Sequence, residues 1–321
     1  MAELMPMPMP VLLVLLLVAL CGLPTWGAAA VPANPGDAAA MHVLANSTGA
    51  DSSLGWGVKS ADPCDGTWAG VSCNDVGRVT SIVASRGGLA GVLHGSDLAS
   101  LSFLAELDLG FNSLTTPTGD LPLIPTPLQH LRSLDLRSNR FYDIPEGFFA
   151  AFPALETITL DDNPMMGSPK FLLDVLTCSG LRSFSANNIS YIHTFPDFFG
   201  NTLVFPALET LSLARNEISG TIPATFGNNS KIKYLDVSSQ IHSSQGYPSL
   251  IGRIDQFIPG MTSLVEVRMD HNGFFGPLPD ATKLVNMRVF SATNNNLCGV
   301  PKFAGGASVD LTGNPRVGMT C

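Results

Sequence analysis

Basic side chains are scarce in this chain. Only 17 of its 321 residues are Lys or Arg, against 26 Asp or Glu, giving a formal net charge of -9. No basic stripe is present of the kind that neutralises phosphates, which argues against a nucleic-acid partner. Charge of either sign is sparse as well, at 13% of residues. The six histidines are scattered without metal-ligand spacing, so neither a metal nor another cofactor is expected. No Gly-rich loop followed by Val-Ala-x-Lys occurs, nor His-Arg-Asp, nor Asp-Phe-Gly, which excludes kinase chemistry from these residues. Beyond the first thirty residues no apolar run reaches the ~20 needed to cross a membrane.

What is abundant is turn chemistry and leucine in rhythm. The chain has 31 Gly and 24 Pro, enough to turn once per short unit. The stretch "LETLSLARNEISGTIPATF" fits Leu-x-x-Leu-x-Leu-x-x-Asn-x-Leu at Leu208, Leu211, Leu213, Asn216 and Ile218, and the template recurs along the chain. Its fourth position steps through 82, 107, 134, 158, 184, 211, 235, 267 and 290, at intervals of 23 to 27 except for one of 32. That is a leucine-rich repeat array of about nine to ten units. The expected fold is an α/β solenoid whose short strands form one parallel sheet on the concave face.

The residue types explain the rhythm. Template positions two apart fall on one side of a strand, so the apolar pair faces the core and the intervening residue faces out. One unit cannot bury its leucines alone, whereas stacked units can. Each buried Leu or Ile contributes about 1.5–3 kcal/mol against the ordering entropy of its coil. Asn112, Asn139, Asn163, Asn216, Asn272 and Asn295 stand where the chain leaves the strand, and an amide can serve backbone donors and acceptors that face inward there. Two units carry Ile189 and Gln240 instead, and local distortion is expected at both.

Three segments follow: a leader over 1–30, an N-terminal cap over 31–77, and repeats with a C-terminal cap over 78–321. The leader is apolar from Val11 to Cys21 and ends in small residues at Gly27 to Ala30, as a secretory signal does, although Glu3 stands where a basic residue is usual. An uncleaved anchor is the competing reading, weakened by prolines at 6, 8, 10 and 24. Removing the leader leaves five cysteines, which cannot all pair within one chain. A Cys64–Cys73 bond would staple the cap, with Trp68 over the end of the core, and Cys298 with Cys321 would close the last coil. Cys178 is then the odd thiol, expected to be buried and inert or else intermolecular. Sequons at Asn46, Asn188 and Asn228 become glycan candidates in a secreted chain, and a glycan on Asn188 would block part of the strand surface.

"DPCDGTWAGVSC" before the first repeat, with "ISGTIP" at 218–223 and "FFGPLP" at 274–279, resembles the plant-type extracellular leucine-rich repeat, in which this segment adds a second short strand. "RVTSI", "FYDIP", "DDNP", "LRSFSANNIS", "FPDFFG" and "VPKFAGGASVDLTGNP" are similar to the first repeat block of the transmembrane-kinase subfamily of plant receptor-like kinases. The resemblance covers roughly residues 37 to 315. It implies a receptor role in auxin-linked signalling, and in that subfamily such a block continues into a non-repeat island, further repeats, a membrane helix and a kinase. The 32-residue step within "SSQIHSSQGYPSLIGRIDQF" departs from the rhythm and is expected to be a private loop.

The outward strand positions form two columns. One runs Val83, Asp108, Asp135, Thr159, Ser185, Ser212, Asp236, Arg268 and Ser291; the other runs Phe111, Ser138, Asp162, Asn188, Arg215, Ser239, His271 and Asn294. Asp161 and Asp162 are expected to be exposed, not desolvated as a general acid requires. Asp108, Phe111, Asp135, Arg137, Asp161, Arg215, Tyr234, Asp236, Arg268 and His271 are the candidate contacts for a protein or peptide ligand, or for a receptor-kinase co-receptor. The expected function is non-catalytic extracellular recognition in the apoplast. A secreted inhibitor of a microbial wall-degrading enzyme, resembling polygalacturonase-inhibiting proteins, is the alternative, disfavoured by the uneven unit length and the lone Cys298/Cys321 pair.

Overall fold

A computed structural model describes residues 31–167, 173–241, 246 and 248–321. The leader lies outside the described residues, as does part of the long loop. The strand Val79–Val83 is followed in sequence and in space by three-residue strands, from Glu106–Asp108 through Ser308–Asp310. Together with Val71–Cys73 they make an eleven-stranded sheet, parallel everywhere except at that first pair.

The register is the one the leucine spacing imposes. Ile82, Leu107, Leu134, Ile158, Phe184, Leu211, Leu235, Val267, Phe290 and Val309 lie side by side across the sheet. All but Val309 are at most 2% exposed. A slip of one residue would turn this apolar row to solvent.

The asparagines join one coil to the next. Asn139 Nδ2 donates to Leu109 O of the preceding unit at 2.9 Å and to Leu136 O of its own at 3.1 Å, while its Oδ1 accepts from Leu114 N at 2.9 Å. Asn163, Asn272, Asn295 and Asn314 repeat the pattern. The distortion expected at Gln240 is absent. Its longer side chain reaches the same partners, donating to Leu213 O at 2.7 Å and Val237 O at 3.3 Å and accepting from Ile218 N at 3.0 Å. At Ile189 the ladder does break. Met165 N, which an amide there would have served, donates instead to Asn163 O at 2.8 Å, and the isoleucine is simply buried.

Among the described residues a second sheet forms in the C-terminal half, in the order Arg316–Val317, Asn296–Gly299, Gly273–Pro277, Leu250–Gly252 and Gly220–Thr221. Gly220, Gly276 and Gly299 in these strands have φ of 82°, 82° and 93°, which a side chain would resist. The earlier segment "FYDIP" is one residue shorter and lacks this glycine, and no second strand forms there. The long unit is not wholly private: a bridge from Ile241 to Pro248 closes its loop, and Leu250–Gly252 then enters the second sheet.

The N-terminal end of the core is covered by the helix Pro35–Thr48, capped by Asn34, whose side chain accepts from Gly36 N. Trp56 and Trp68 are 1% and 2% exposed and stack at 5.7 Å between centroids. Asp37, fully buried, accepts from Arg78 Nε at 3.0 Å, Arg78 Nη2 at 2.8 Å and Val79 N at 2.8 Å, tying the helix to the first strand. Cys64 and Cys73 are bonded with Cα atoms 5.5 Å apart, and Cys298 with Cys321 at 5.4 Å. Cys178 is fully buried, its Sγ 3.5 Å from Phe149 O and from Phe152 O, which leaves no route to an intermolecular bond.

Candidate ligand-binding face

The residues taken above as the second outward column are not in the strands. Arg86, Phe111, Ser138, Asp162, Asn188, Arg215, Ser239, His271 and Asn294 all have φ between 51° and 59°, in the left-handed region. Each is the corner where the chain leaves its strand, and its N–H still donates to the next unit, as Phe111 N does to Arg137 O at 2.8 Å and His271 N to Thr293 O at 2.9 Å. That conformation costs a non-glycine residue about 1–2 kcal/mol, and no β-branched residue occupies the column, which is the sequence signal for it. In the strand column, Thr159 is only 8% exposed, so it offers a ligand little.

Five of the candidate residues come together near the N-terminal end. Phe111 is 39% exposed, with the Arg86 guanidinium carbon 4.0 Å from its ring centroid and that of Arg137 at 5.8 Å. Arg137 donates from Nε to Asp135 Oδ1 at 3.0 Å and Oδ2 at 2.7 Å, which raises the guanidinium pKa. A Cβ placed on Gly110 would lie 3.2 Å from Arg137 Cγ, Asp108 Oδ1 and Asp135 Oδ1, so these side chains close over that glycine. Asp161 is half-buried rather than exposed. It accepts from Ser185 Oγ at 2.8 Å and Asn187 N at 2.8 Å, while Asn187 Oδ1 accepts from Ser212 Oγ at 2.8 Å and Ala214 N at 2.6 Å.

A second group surrounds Tyr234, which is 44% exposed. Tyr234, Asp236, Arg268, Glu266, Thr210 and Ser212 line a shallow groove of about 200 Å³. Arg268 Nε donates to Glu266 Oε1 at 2.6 Å, raising the guanidinium pKa, and Asp236 Oδ1 is held by Ser238 N at 2.9 Å and Ser238 Oγ at 2.7 Å. Two candidates pair elsewhere: Arg215 Nη2 with Asp162 Oδ1 at 3.3 Å, and His271 Nε2 with Asn294 Nδ2 at 3.0 Å. Asn188, Asn46 and Asn228 are all exposed, and Asn188 Nδ2 donates to Asp162 Oδ1 on this same face.

Sequence reasoning missed Arg86, which sits in a loosely matching unit, and Glu266. Asp135 and Arg137 were both candidates, but their pairing was not read from the sequence, since Arg137 lies just beyond the strand Ser133–Asp135. At the strand starts, Arg132, Glu156, Arg182, Glu209 and Lys233 alternate in sign and pair across neighbours. Exposed pairs of this kind are worth about 0–1 kcal/mol and keep the rim solvated.

Residues 34–74 match the leucine rich repeat N-terminal domain, and 130–151 and 207–229 match the leucine rich repeat. The chain is a plant-type leucine-rich repeat protein. It is 31% identical to the receptor-like kinase TMK2 of Arabidopsis thaliana over 82% of this chain and 28% of that protein. To receptor-like protein 41 of the same plant it is 31% identical over 66% of this chain and 23% of that one. The chain thus spans less than a third of the curated relatives it matches. Among solved structures, it superposes on the ectodomain of the plant membrane receptor kinase GASSHO1/SCHENGEN3 of Arabidopsis thaliana with a TM-score of 0.67, at 20% identity, covering 83% of this chain and 30% of that one. For the plant peptide hormone receptor RGFR1 the TM-score is 0.61 at 23% identity, covering 75% and 40%.

Proposed function

We propose that this repeat array is a non-catalytic extracellular recognition module of receptor type, binding a peptide or protein on its concave sheet face. The observation that carries the reading is the placement of Phe111 and Tyr234. Phe111, at a strand-exit corner, and Tyr234, in a strand, stand 39% and 44% exposed on a face whose backbone is hydrogen-bonded from unit to unit, each among oriented polar groups. Rigid aromatic anchors ringed by polar side chains are what hot spots are made of. The proteins of like fold support it: the GASSHO1/SCHENGEN3 ectodomain was solved with CASPARIAN STRIP INTEGRITY FACTOR 2, RGFR1 with RGF2, and HAESA with the hormone IDA and the co-receptor SERK1. The chain works outside the cell, after removal of its leader, with glycans on Asn46, Asn188 and Asn228; a glycan on Asn188 directs the ligand to the flanking groups.

The test is affinity capture from plant cell-wall extract with the secreted chain, followed by mass spectrometry. Recovery of a receptor kinase or a secreted peptide, lost with Phe111→Ser/Tyr234→Ser, is the expected result. Recovery of a fungal hydrolase without any receptor kinase would place the chain among enzyme inhibitors instead.

A further inference from the structure

Once its ion pairs are set aside, the charge on the sheet face is mainly negative, with Arg86 over the Phe111 ring as an opposing cation. Arg137 is spent on Asp135, Arg215 on Asp162 and Arg268 on Glu266. Among the described residues, Asp108, Asp161, Asp236 and Asp270 have no cationic partner in an ion pair; serine, asparagine, threonine or backbone donors hold them, as Ser291 Oγ holds Asp270 Oδ1 at 2.5 Å. Arg137 therefore stands in the field of three carboxylates, Asp135, Asp161 and Asp108, and Arg268 in that of Glu266, Asp236 and Asp270. Each exposed aromatic thus sits beside a group with an excess of negative charge.

The two groups have a fixed separation. Phe111 follows the strand Glu106–Asp108 and Tyr234 opens the strand Tyr234–Asp236, and five steps of the parallel sheet lie between those strands. At about 4.8 Å per step the span is roughly 24 Å, the length of about seven residues of extended chain.

Resting on the receptor reading above, we propose that the occupant of this face is an extended cationic peptide segment, with two Lys or Arg side chains about seven residues apart seated beside Phe111 and Tyr234. The Tyr234 ring receives one aliphatic stem and its cationic head by cation–π contact. The Phe111 ring is already stacked by Arg86, so there the second stem packs against the ring while its head turns to the unpaired carboxylate of Asp108. The unpaired carboxylates supply the long-range attraction. Arg137 and Arg268 are held by their own carboxylate pairs. Arg86 lies over the Phe111 ring at 4.0 Å without a carboxylate partner in an ion pair among the described residues, but with Asp108, Asp135 and Asp161 beside it the group as a whole remains negative.

The secreted chain is immobilised and a random twelve-residue phage library is selected on it. Selected peptides are then synthesised and titrated by calorimetry at low and high salt. Enrichment of two basic residues six to eight apart is the expected outcome, with affinity falling about fivefold for each carboxylate removed in Asp108→Asn and Asp236→Asn and falling again with salt. Both substitutions leave the arginine pairs in place, and unchanged melting temperatures show the fold intact. Enrichment of acidic or neutral peptides that lose binding with Phe111→Ser/Tyr234→Ser would overturn the cationic assignment while leaving the face a binding surface. Peptides indifferent to those aromatic substitutions, or no enrichment at all, would overturn the cationic assignment as well, and loss of the captured wall partner with the same substitutions would still decide the receptor reading separately.

Discussion

Replacing Asn216 by Ala tests the amide ladder where it works hardest. This side chain is 3% exposed and spans the unit whose own amide is missing at Ile189. Its Oδ1 accepts from Ile189 N and Tyr191 N, both at 3.1 Å, and its Nδ2 donates to Ala186 O at 2.8 Å and Leu213 O at 2.9 Å. The substitution orphans two N–H groups and the carbonyl of Ala186, while Leu213 O keeps Gln240 Nε2 as a donor at 2.7 Å. Each buried orphan costs about 1–3 kcal/mol, and water reaching part of the vacated space recovers some of it, so about 3–5 kcal/mol is expected. Because a solenoid opens locally, the effect is read best by hydrogen exchange of the Ile189 and Tyr191 amides. A loss of about 3 kcal/mol accelerates their exchange more than a hundredfold, while the amides of Ile82 and Val83, five strands away, hardly change. Acceleration below about fivefold would show that the amide is a spectator.

Three further outcomes follow from buried chemistry. Cys64→Ser/Cys73→Ser opens a bridge with sequence separation 9 and is expected to cost about 2–3 kcal/mol, seen as a lower midpoint in denaturant. Asp37→Asn breaks the buried pair with Arg78 and is expected to destabilise the cap by about 3 kcal/mol, read from the emission of Trp56 and Trp68 during unfolding. Burial pushes the Cys178 thiol up to about 11 from an ordinary 9.0. The folded state thus holds this proton more tightly than the unfolded one, so the contribution is complete below about pH 9 and is lost as pH rises toward about 11. A thiol reagent at pH 8 should leave Cys178 unmodified until denaturant is added; stoichiometric labelling of the native chain would refute this.

Much of the scaffold was legible because leucine spacing fixes register. Ile82 through Val309 align as their positions in the repeat require. What was not legible depended on reach and on backbone sign. Gln240 was expected to distort its unit, but one extra methylene carries its amide to the same carbonyls. Phe111, Arg215 and His271 were assigned to strands, whereas their left-handed corners swing them out of the strand plane. The absence of Val, Ile and Thr from that column is the clue, visible only once the units are stacked. Asp161 was taken as exposed because its two donors, Ser185 and Asn187, come from the next unit and not from its neighbours in sequence. Trp56 was given no structural role from the sequence; it is buried and stacks on Trp68.

The central claim is that the open sheet face, anchored on Phe111 and Tyr234, is the surface a partner occupies. The most direct measurement is the affinity of the partner recovered from cell-wall extract for the native chain and for Phe111→Ser/Tyr234→Ser, with equal melting temperatures established first. A loss of at least about tenfold is predicted from removing two exposed aromatic anchors; affinity unchanged within about twofold would contradict it.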